Sequence, residues 1–71
     1  LNIKYELSAS MTVQFRIYNL KGEKIDQINV GYQQPGFYTE VWDGESYPSG
    51  MYFIVSENES QLSMQKMVLL K

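Results

Sequence analysis

The stretch from Gly36 to Val55 constrains the fold more than any other part of the chain. It contains two runs of aromatic and β-branched residues, at 36–42 and 51–55, separated by a segment rich in Gly, Pro, Ser and Asp. This pattern is typical of two neighbouring strands and their connection. The second run is apolar at every position, which predicts a strand covered on both faces at the centre of the core.

The segments before this stretch also favour strands. Apolar and polar residues alternate over 1–7 and again over 11–18, the period of a strand with one face exposed to water. A third strand is predicted over 24–30, where a change of parity between Ile25 and Ile28 predicts a β-bulge. Residues 31–36 are interpreted as a loop because they contain Pro35, which cannot donate to a sheet.

Two shorter segments complete the prediction. Residues 19–23 read as a tight turn in which Gly22 supplies a positive φ. The final segment, Gln61 to Lys71, fits both helical and strand spacing. We favour a strand, since the segment has no alanine and a helix would have to nucleate beside short hairpins with the β-branched Val68 inside it.

Composition agrees with an all-β domain. Val, Ile, Thr, Tyr, Phe and Trp number 22 of the 71 residues, against the single alanine Ala9. This bias suits pleated, half-buried surfaces and disfavours helices. Turn signals recur about every 8–12 residues along this one small domain. This spacing indicates an Ig-like antiparallel β-sandwich of six or seven short strands.

The composition also excludes several functions. The chain has no histidine and no cysteine, which removes Ser-His-Asp and Cys-His catalysis, disulfides and nearly all zinc chemistry. A net charge of -2 with six Lys and Arg argues against nucleic acid. No apolar run approaches the roughly 20 residues that span a bilayer, so a membrane-spanning role is not expected. The start at Leu1 rather than Met suggests a piece of a longer protein.

Two groups of residues could carry a ligand. Asp43 and Glu45 could form a calcium loop or an acid–base pair, but an EF-hand pattern is missing, and Asp43 capping its own turn is the favoured interpretation. Aromatic residues around Trp42 could stack on a sugar ring. In so small a domain, packing in the core explains them better.

The carboxy-terminal residues 66–71 are the most unusual feature. Four consecutive apolar residues, 67–70, are followed by a final lysine, Lys71, with no polar tail. They are either a last strand docked into the sheet or a strand that a partner recognises. The residues alone favour the first interpretation.

The chain resembles the C-terminal sorting domain (type A) of proteins exported by the bacterial type IX secretion system. The resemblance covers essentially the whole chain, and it rests on the order of its motifs and on the lysine-terminated apolar end. The matching segments are 3–7, 13–19 with Gly22, 36–43, 48–53 and 66–71.

The resemblance implies a seven-stranded Ig-like sandwich that is a non-catalytic secretion signal without a cofactor or metal. It implies an N-terminal cargo domain, an outer-membrane translocon and a sortase as partners, and delivery to the cell surface or medium through the periplasm of a Gram-negative bacterium. The residues implied in recognition are Gly50, Tyr52, Lys66, Met67, Val68, Leu69, Leu70 and Lys71. Gly22, Gly36 and Trp42 are implied to maintain the fold.

Two other functions remain open from the sequence. Residues 42–44 with Gly50 and Tyr52 are also similar to the Ig-like domain of flagellar hook-capping proteins, so a structural spacer in a surface protein or enzyme is one alternative. A carbohydrate-binding module that uses Trp42 is the other.

Overall fold

A computed structural model describes the backbone of residues 1–58 and 61–70 and the side chains of residues 1–56 and 64–70. Its strands are β1 (Asn2–Leu7), β2 (Met11–Tyr18), β3 (Lys24–Gln33), β4 (Gly36–Val41), β5 (Gly50–Asn58) and β6 (Gln61–Leu69). Helices are absent from these described residues. The prediction of an all-β fold is confirmed, and so is the choice of a strand over the final segment.

The strands form two antiparallel sheets that pack against each other as a β-sandwich. The smaller sheet contains β1 and β4, and the larger has the order β3-β2-β5-β6. The two runs of the 36–55 stretch therefore belong to different sheets, and the interpretation of them as neighbouring strands is wrong. The connection between them crosses from one sheet to the other because Trp42, which begins it, is buried in the core between the sheets.

The core lies between the sheets and is built from alternate residues of the strands. On β5, Tyr52 and Ile54 face inward and are almost fully buried. Met51, Phe53 and Val55 lie on the opposite face and are half-buried. The strand contributes to the core, as predicted, but the predicted cover on both faces is complete only on the core side, and the opposite face is partly covered. The buried apolar residues are Ile3, Leu7, Val13, Phe15, Ile17, Trp42, Tyr52, Ile54 and Leu69.

The third strand contains the predicted bulge and is longer than predicted. The β2–β3 register shifts between Val13 and Gln14 and again between Ile17 and Tyr18. Residues of both parities, at 25, 28 and 30, consequently pack against the core. The predicted loop over 31–36 is wrong, because β3 continues to Gln33. Gly31 adopts a φ of 103°, which accommodates the bulge without ending the strand.

The turn between β2 and β3 forms as predicted. The Asn19 side-chain oxygen accepts hydrogen bonds from the backbone N–H groups of Lys21 and Glu23, at 2.9 and 3.0 Å. Gly22 has a φ of 82°, in the region that other residues resist. This short turn holds β2 and β3 in register at one edge of the larger sheet.

Candidate docking edge

The candidate site is β6 and the residues that follow it, supported by β5. In the described part of the sheet β6 pairs with β5 alone, so it is an edge strand. The pairing runs without a register shift from Gly50 opposite Leu69 to Asn58 opposite Gln61. Because side chains alternate along a strand, this register decides which side chains of β6 face the core and which face outward.

Leu69 anchors the carboxy-terminal end of β6 in the core. It is 8% exposed and lies under Gly44, a buried residue of the connection between the sheets. A Cβ atom on Gly44 would lie 2.8 Å from Leu69 Cδ2 and 3.0 Å from Cδ1. Gly44 therefore allows a close approach that any other residue would obstruct.

Aromatic side chains hold the neighbouring part of β5. Trp42 packs edge-on against Tyr52, with ring centroids 5.3 Å apart, and stacks on Tyr47 at 5.5 Å. The Trp42 Nε1–H donates to Asp26 Oδ2 at 2.9 Å, and the Tyr52 hydroxyl donates to the Pro48 carbonyl at 2.6 Å. Each buried polar group of this cluster has a partner, which avoids the penalty of an unpaired buried donor.

Trp42 is 2% exposed and cannot stack on a sugar ring in this structure. The carbohydrate interpretation therefore loses the residue on which it depended. Trp42 instead stabilises the fold, which is the role that the resemblance implies for it.

The acidic pair in the connection forms a turn. Asp43 Oδ1 accepts a hydrogen bond from the backbone N–H of Glu45 at 3.1 Å. This is the favoured sequence interpretation, an Asp that caps its own turn. Within the part of the chain that the structure describes, no group of three or more His, Cys, Asp or Glu residues could hold a metal ion.

Tyr47 contributes a titratable group to this region. Its hydroxyl donates to the Ile25 carbonyl at 2.9 Å. Burial raises the pKa of Tyr47 above its usual value, and the nearby Asp26 and Tyr52 raise it further. The neutral phenol, which can donate, is thus the form that the fold favours.

The outward side chains of β6 form an accessible strip. Val68 is 51% exposed, and Leu70, just beyond the strand, is 84% exposed. Lys66 is also exposed. We call Lys66, Val68 and Leu70 the tail strip. It presents one cation and two apolar side chains at every second position along the chain.

The residues implied in recognition fall into two groups. Gly50 is exposed opposite Leu69, and the tail strip is accessible. Tyr52 and Leu69 are buried, and Met67 is half-buried against the core. Lys71 lies outside the described residues.

Sequence reasoning does not identify the contributions of Gly44 and Asp26. The sequence indicates Gly44 only as part of a turn, although a glycine beside a buried tryptophan can also signal close packing. Asp26 lies in β3, where nothing in its neighbourhood marks it as a partner of Trp42. The sequence indicates only that Asp26 shares the face of the strand that points to the core, because alternate residues of a strand point to opposite faces.

The chain matches the family model described as the secretion system C-terminal sorting domain, over residues 1–70. The chain belongs to this family. No curated protein and no solved structure matches it.

Membership identifies the role of this sorting domain. It is a C-terminal signal of cargo proteins of the type IX secretion system, and the family is not catalytic. Such a signal implies export or a location at the cell surface, and interaction with the secretion machinery and with an attached cargo. The described residues include no helix long and apolar enough to cross a membrane.

Proposed function

We propose that an outer-membrane component of the secretion machinery recognises the sorting domain by pairing with the free edge of β6 and contacting the tail strip. The observation that carries the proposal is the alternation along β6. Met67 and Leu69 face the core, and Val68 and Leu70 face outward. An edge strand offers main-chain hydrogen bonds to a partner, and its alternate side chains supply selectivity.

The remaining residues implied in recognition act through the fold. Leu69 and Tyr52 are buried and fix the position of β6, and Gly50 begins the strand that pairs with it. Lys71 follows Leu70 in the sequence, and we include it in the recognised segment because of the resemblance. Substitution of the buried residues should therefore reduce export in proportion to the loss of folded domain, unlike substitution in the tail strip.

The proposal places the domain in a longer route. Residues 1–71 form a single sorting domain attached to the carboxy end of a cargo. The cargo reaches the periplasm of a Gram-negative bacterium by a separate N-terminal signal, and the outer-membrane translocon then binds the folded sorting domain. A sortase at the cell surface removes the domain. Family membership supports this route, and the folded state of the domain is compatible with recognition after folding.

The test uses a reporter cargo fused ahead of residues 1–71 and produced in a bacterium that has the secretion system. Val68→Asp and Leu70→Asp each place a charge in the tail strip without touching the core. We expect surface delivery of the reporter to fall, while the purified fusions keep the unfolding midpoint of the parent. Removal of residues 68–71 should also reduce delivery, but it deletes the buried Leu69, so it is compared only where the truncated fusion stays folded.

Matched controls are available on the smaller sheet. Phe37 is 83% exposed and Val41 is 64% exposed, which makes Phe37→Asp and Val41→Asp comparable surface changes on β4. Delivery should be preserved in both. Normal delivery of the Val68 and Leu70 variants, or equal loss in the β4 controls, would refute recognition through the tail strip.

The alternative of a structural spacer predicts a different result. A spacer contributes only its fold, so every variant that stays folded should be delivered equally. The same set of fusions therefore separates the two functions.

A further inference from the structure

A cleft of about 370 Å³ opens between the two sheets on the side of β1 that has no strand. Residues of the larger sheet line one wall, namely 11–15 of β2, Ile54 and Ser56 of β5 and Gln65 of β6, and β1 lines another. Near Gly50 the connection between the sheets covers β5 and β6, since Gly44 lies on Leu69. This cover ends before Gln65, whose side chain is exposed although it shares the inward parity of Met67 and Leu69.

The backbone of β1 has a free edge at this cleft. The Leu1 nitrogen donates to the Trp42 carbonyl at 3.0 Å, and the Trp42 N–H donates to the Leu1 carbonyl at 2.8 Å. Hydrogen-bonded and non-hydrogen-bonded pairs alternate in an antiparallel ladder, and the β1–β4 register has no shift. The backbone N–H and C=O groups of Asn2, Lys4 and Glu6 therefore point away from β4, toward the cleft.

We propose that this cleft is a second binding site, which accepts an extended segment of a partner polypeptide as a third strand of the smaller sheet. The segment would pair with the free N–H and C=O groups of Asn2, Lys4 and Glu6. Its alternate side chains would enter the cleft above Ile54, Ser56 and Gln65. This site is independent of the sorting function and lies apart from the tail strip.

Charge defines the chemistry of the segment. Lys4 and Glu6 are exposed on the outer face of β1, and their partners on β4 are the uncharged Thr39 and Phe37. Opposite charges directly across a strand pair are favourable and like charges are unfavourable. An antiparallel segment that places a basic residue opposite Glu6 and, two residues later, an acidic residue opposite Lys4 is complementary, with apolar residues at the intervening positions.

A second copy of the domain is a poor occupant, although its own Lys4-Tyr5-Glu6 sequence has this charge order. Pairing of two β1 strands would place both larger sheets on the same side of the joined sheet. β5 and β6 of each copy, which line the cleft beside the free edge of β1, would then meet in the same space. A single extended segment fits there, whereas a second sandwich does not.

The probe is a synthetic peptide, Thr-Val-Lys-Val-Glu-Val-Thr, and its charge-reversed form has Glu and Lys exchanged. Calorimetric titration of the domain should show saturable binding of the first peptide and weaker binding of the second. The double variant Lys4→Glu with Glu6→Lys should invert this preference. Hydrogen exchange should show new protection of the amides of residues 4 and 6 in the complex.

The variant Lys4→Pro tests the edge itself, with Thr39→Pro as its matched control. The two residues are register partners on opposite edges of the same sheet, and neither N–H takes part in the β1–β4 ladder. Lys4→Pro should weaken binding by roughly tenfold, as expected for the loss of a backbone hydrogen bond and a charge contact. Thr39→Pro should leave binding unchanged, and circular dichroism checks that both variants stay folded.

Several results would overturn the proposal. The first is the absence of saturable binding at millimolar peptide. The second is an equal or reversed affinity for the two peptides, and the third is an equal loss of affinity in the two proline variants. Sedimentation that shows dimers abolished by Lys4→Pro would assign the edge to a second copy and would equally overturn it. Export of a reporter fusion is not part of the test, so failure here leaves the role of the tail strip unaffected.

Discussion

The close contact between Gly44 and Leu69 predicts a strong energetic coupling between the connection and β6. The Cβ atom of an alanine at position 44 would lie 2.8 Å from Leu69 Cδ2, closer than real Cβ contacts come, and 3.0 Å from Cδ1, a tight contact. Its distance to Leu69 Cγ would be 3.5 Å, an ordinary contact. The conflict is thus confined to the two δ-carbons of Leu69, which valine lacks.

The structure sets the expected magnitudes. Gly44→Ala in the parent should cost about 1–3 kcal/mol, as for other insertions of a methyl group into a packed core. Leu69→Val alone should cost about 0.5–1.5 kcal/mol. When Leu69→Val is already present, neither δ-carbon remains to meet the alanine Cβ, and Gly44 does not have a positive φ. In that background Gly44→Ala should be neutral or stabilise by up to about 1 kcal/mol, because it reduces the entropy of the unfolded chain.

The assay is urea unfolding of the parent, both single variants and the double variant, followed by Trp42 fluorescence. Trp42 is the only tryptophan and is buried beside this contact. A domain of this length should have a stability of about 4–10 kcal/mol, so the conservative Leu69→Val keeps every variant measurable. The double variant should be more stable than the sum of the single changes predicts, by at least about 1 kcal/mol. Additive effects, within about 0.5 kcal/mol, would refute the argument that Gly44 is required by Leu69.

Three further predictions concern the aromatic cluster. Asp26→Ala should destabilise the domain by about 1–3 kcal/mol because the buried Trp42 N–H loses its acceptor, whereas Asp26→Asn, which keeps an acceptor oxygen, should cost less in the same urea assay. The raised pKa of Tyr47 means that the folded domain retains its phenol proton more strongly than the unfolded chain, so its contribution to stability is complete below about pH 10 and is lost as the pH rises further. Tyr47→Phe should make the unfolding free energy less dependent on pH above about 10, and an unchanged dependence would contradict the assignment. Tyr52→Phe should cost about 1 kcal/mol at neutral pH through loss of the hydrogen bond to Pro48, without reducing reporter delivery as Val68→Asp does.

Regular alternation makes part of the fold predictable from the sequence. Polar and apolar residues alternate cleanly over 11–18, and β2 occupies those residues. The parity change in 24–30 predicts the bulge, and the absence of alanine together with the β-branched Val68 favours the strand over 61–69. In the first two segments one local pattern is sufficient, because a strand places their apolar residues against the core. The final segment also fits helical spacing, and its strand leaves Val68 exposed.

Features that depend on distant contacts are not predictable in the same way. Gly31 and Pro35 suggest a loop, but Gly31 serves a bulge because the facing strand continues to pair with residues 32 and 33. The 36–55 stretch suggests adjacent strands, yet β4 pairs with β1 and β5 pairs with β2 and β6. A linear pattern identifies strands, but it does not specify which sheet each strand joins, since that choice depends on contacts far apart in sequence.

The recognition residues show the same division. The resemblance indicates the segment 66–71 as a whole, and the structure divides its described part by parity, with Leu69 inside and Val68 and Leu70 outside. No property of these three aliphatic side chains, taken singly, makes that distinction. It follows from the register of β6, which the sequence does not reveal.

The register of β6 links stability to the proposed recognition. A shift of one residue would move Lys66, Val68 and Leu70 inward and expose Met67 and Leu69. Burying the charge of Lys66 without a partner would be strongly unfavourable. The position of Lys66 on the outward face therefore disfavours the shifted pairing, while the contact of Leu69 with Gly44 favours the observed one. The same register that completes the core thus places Val68 and Leu70 on the surface. A partner that contacts both side chains would therefore bind the correctly folded domain and not one with a shifted β6.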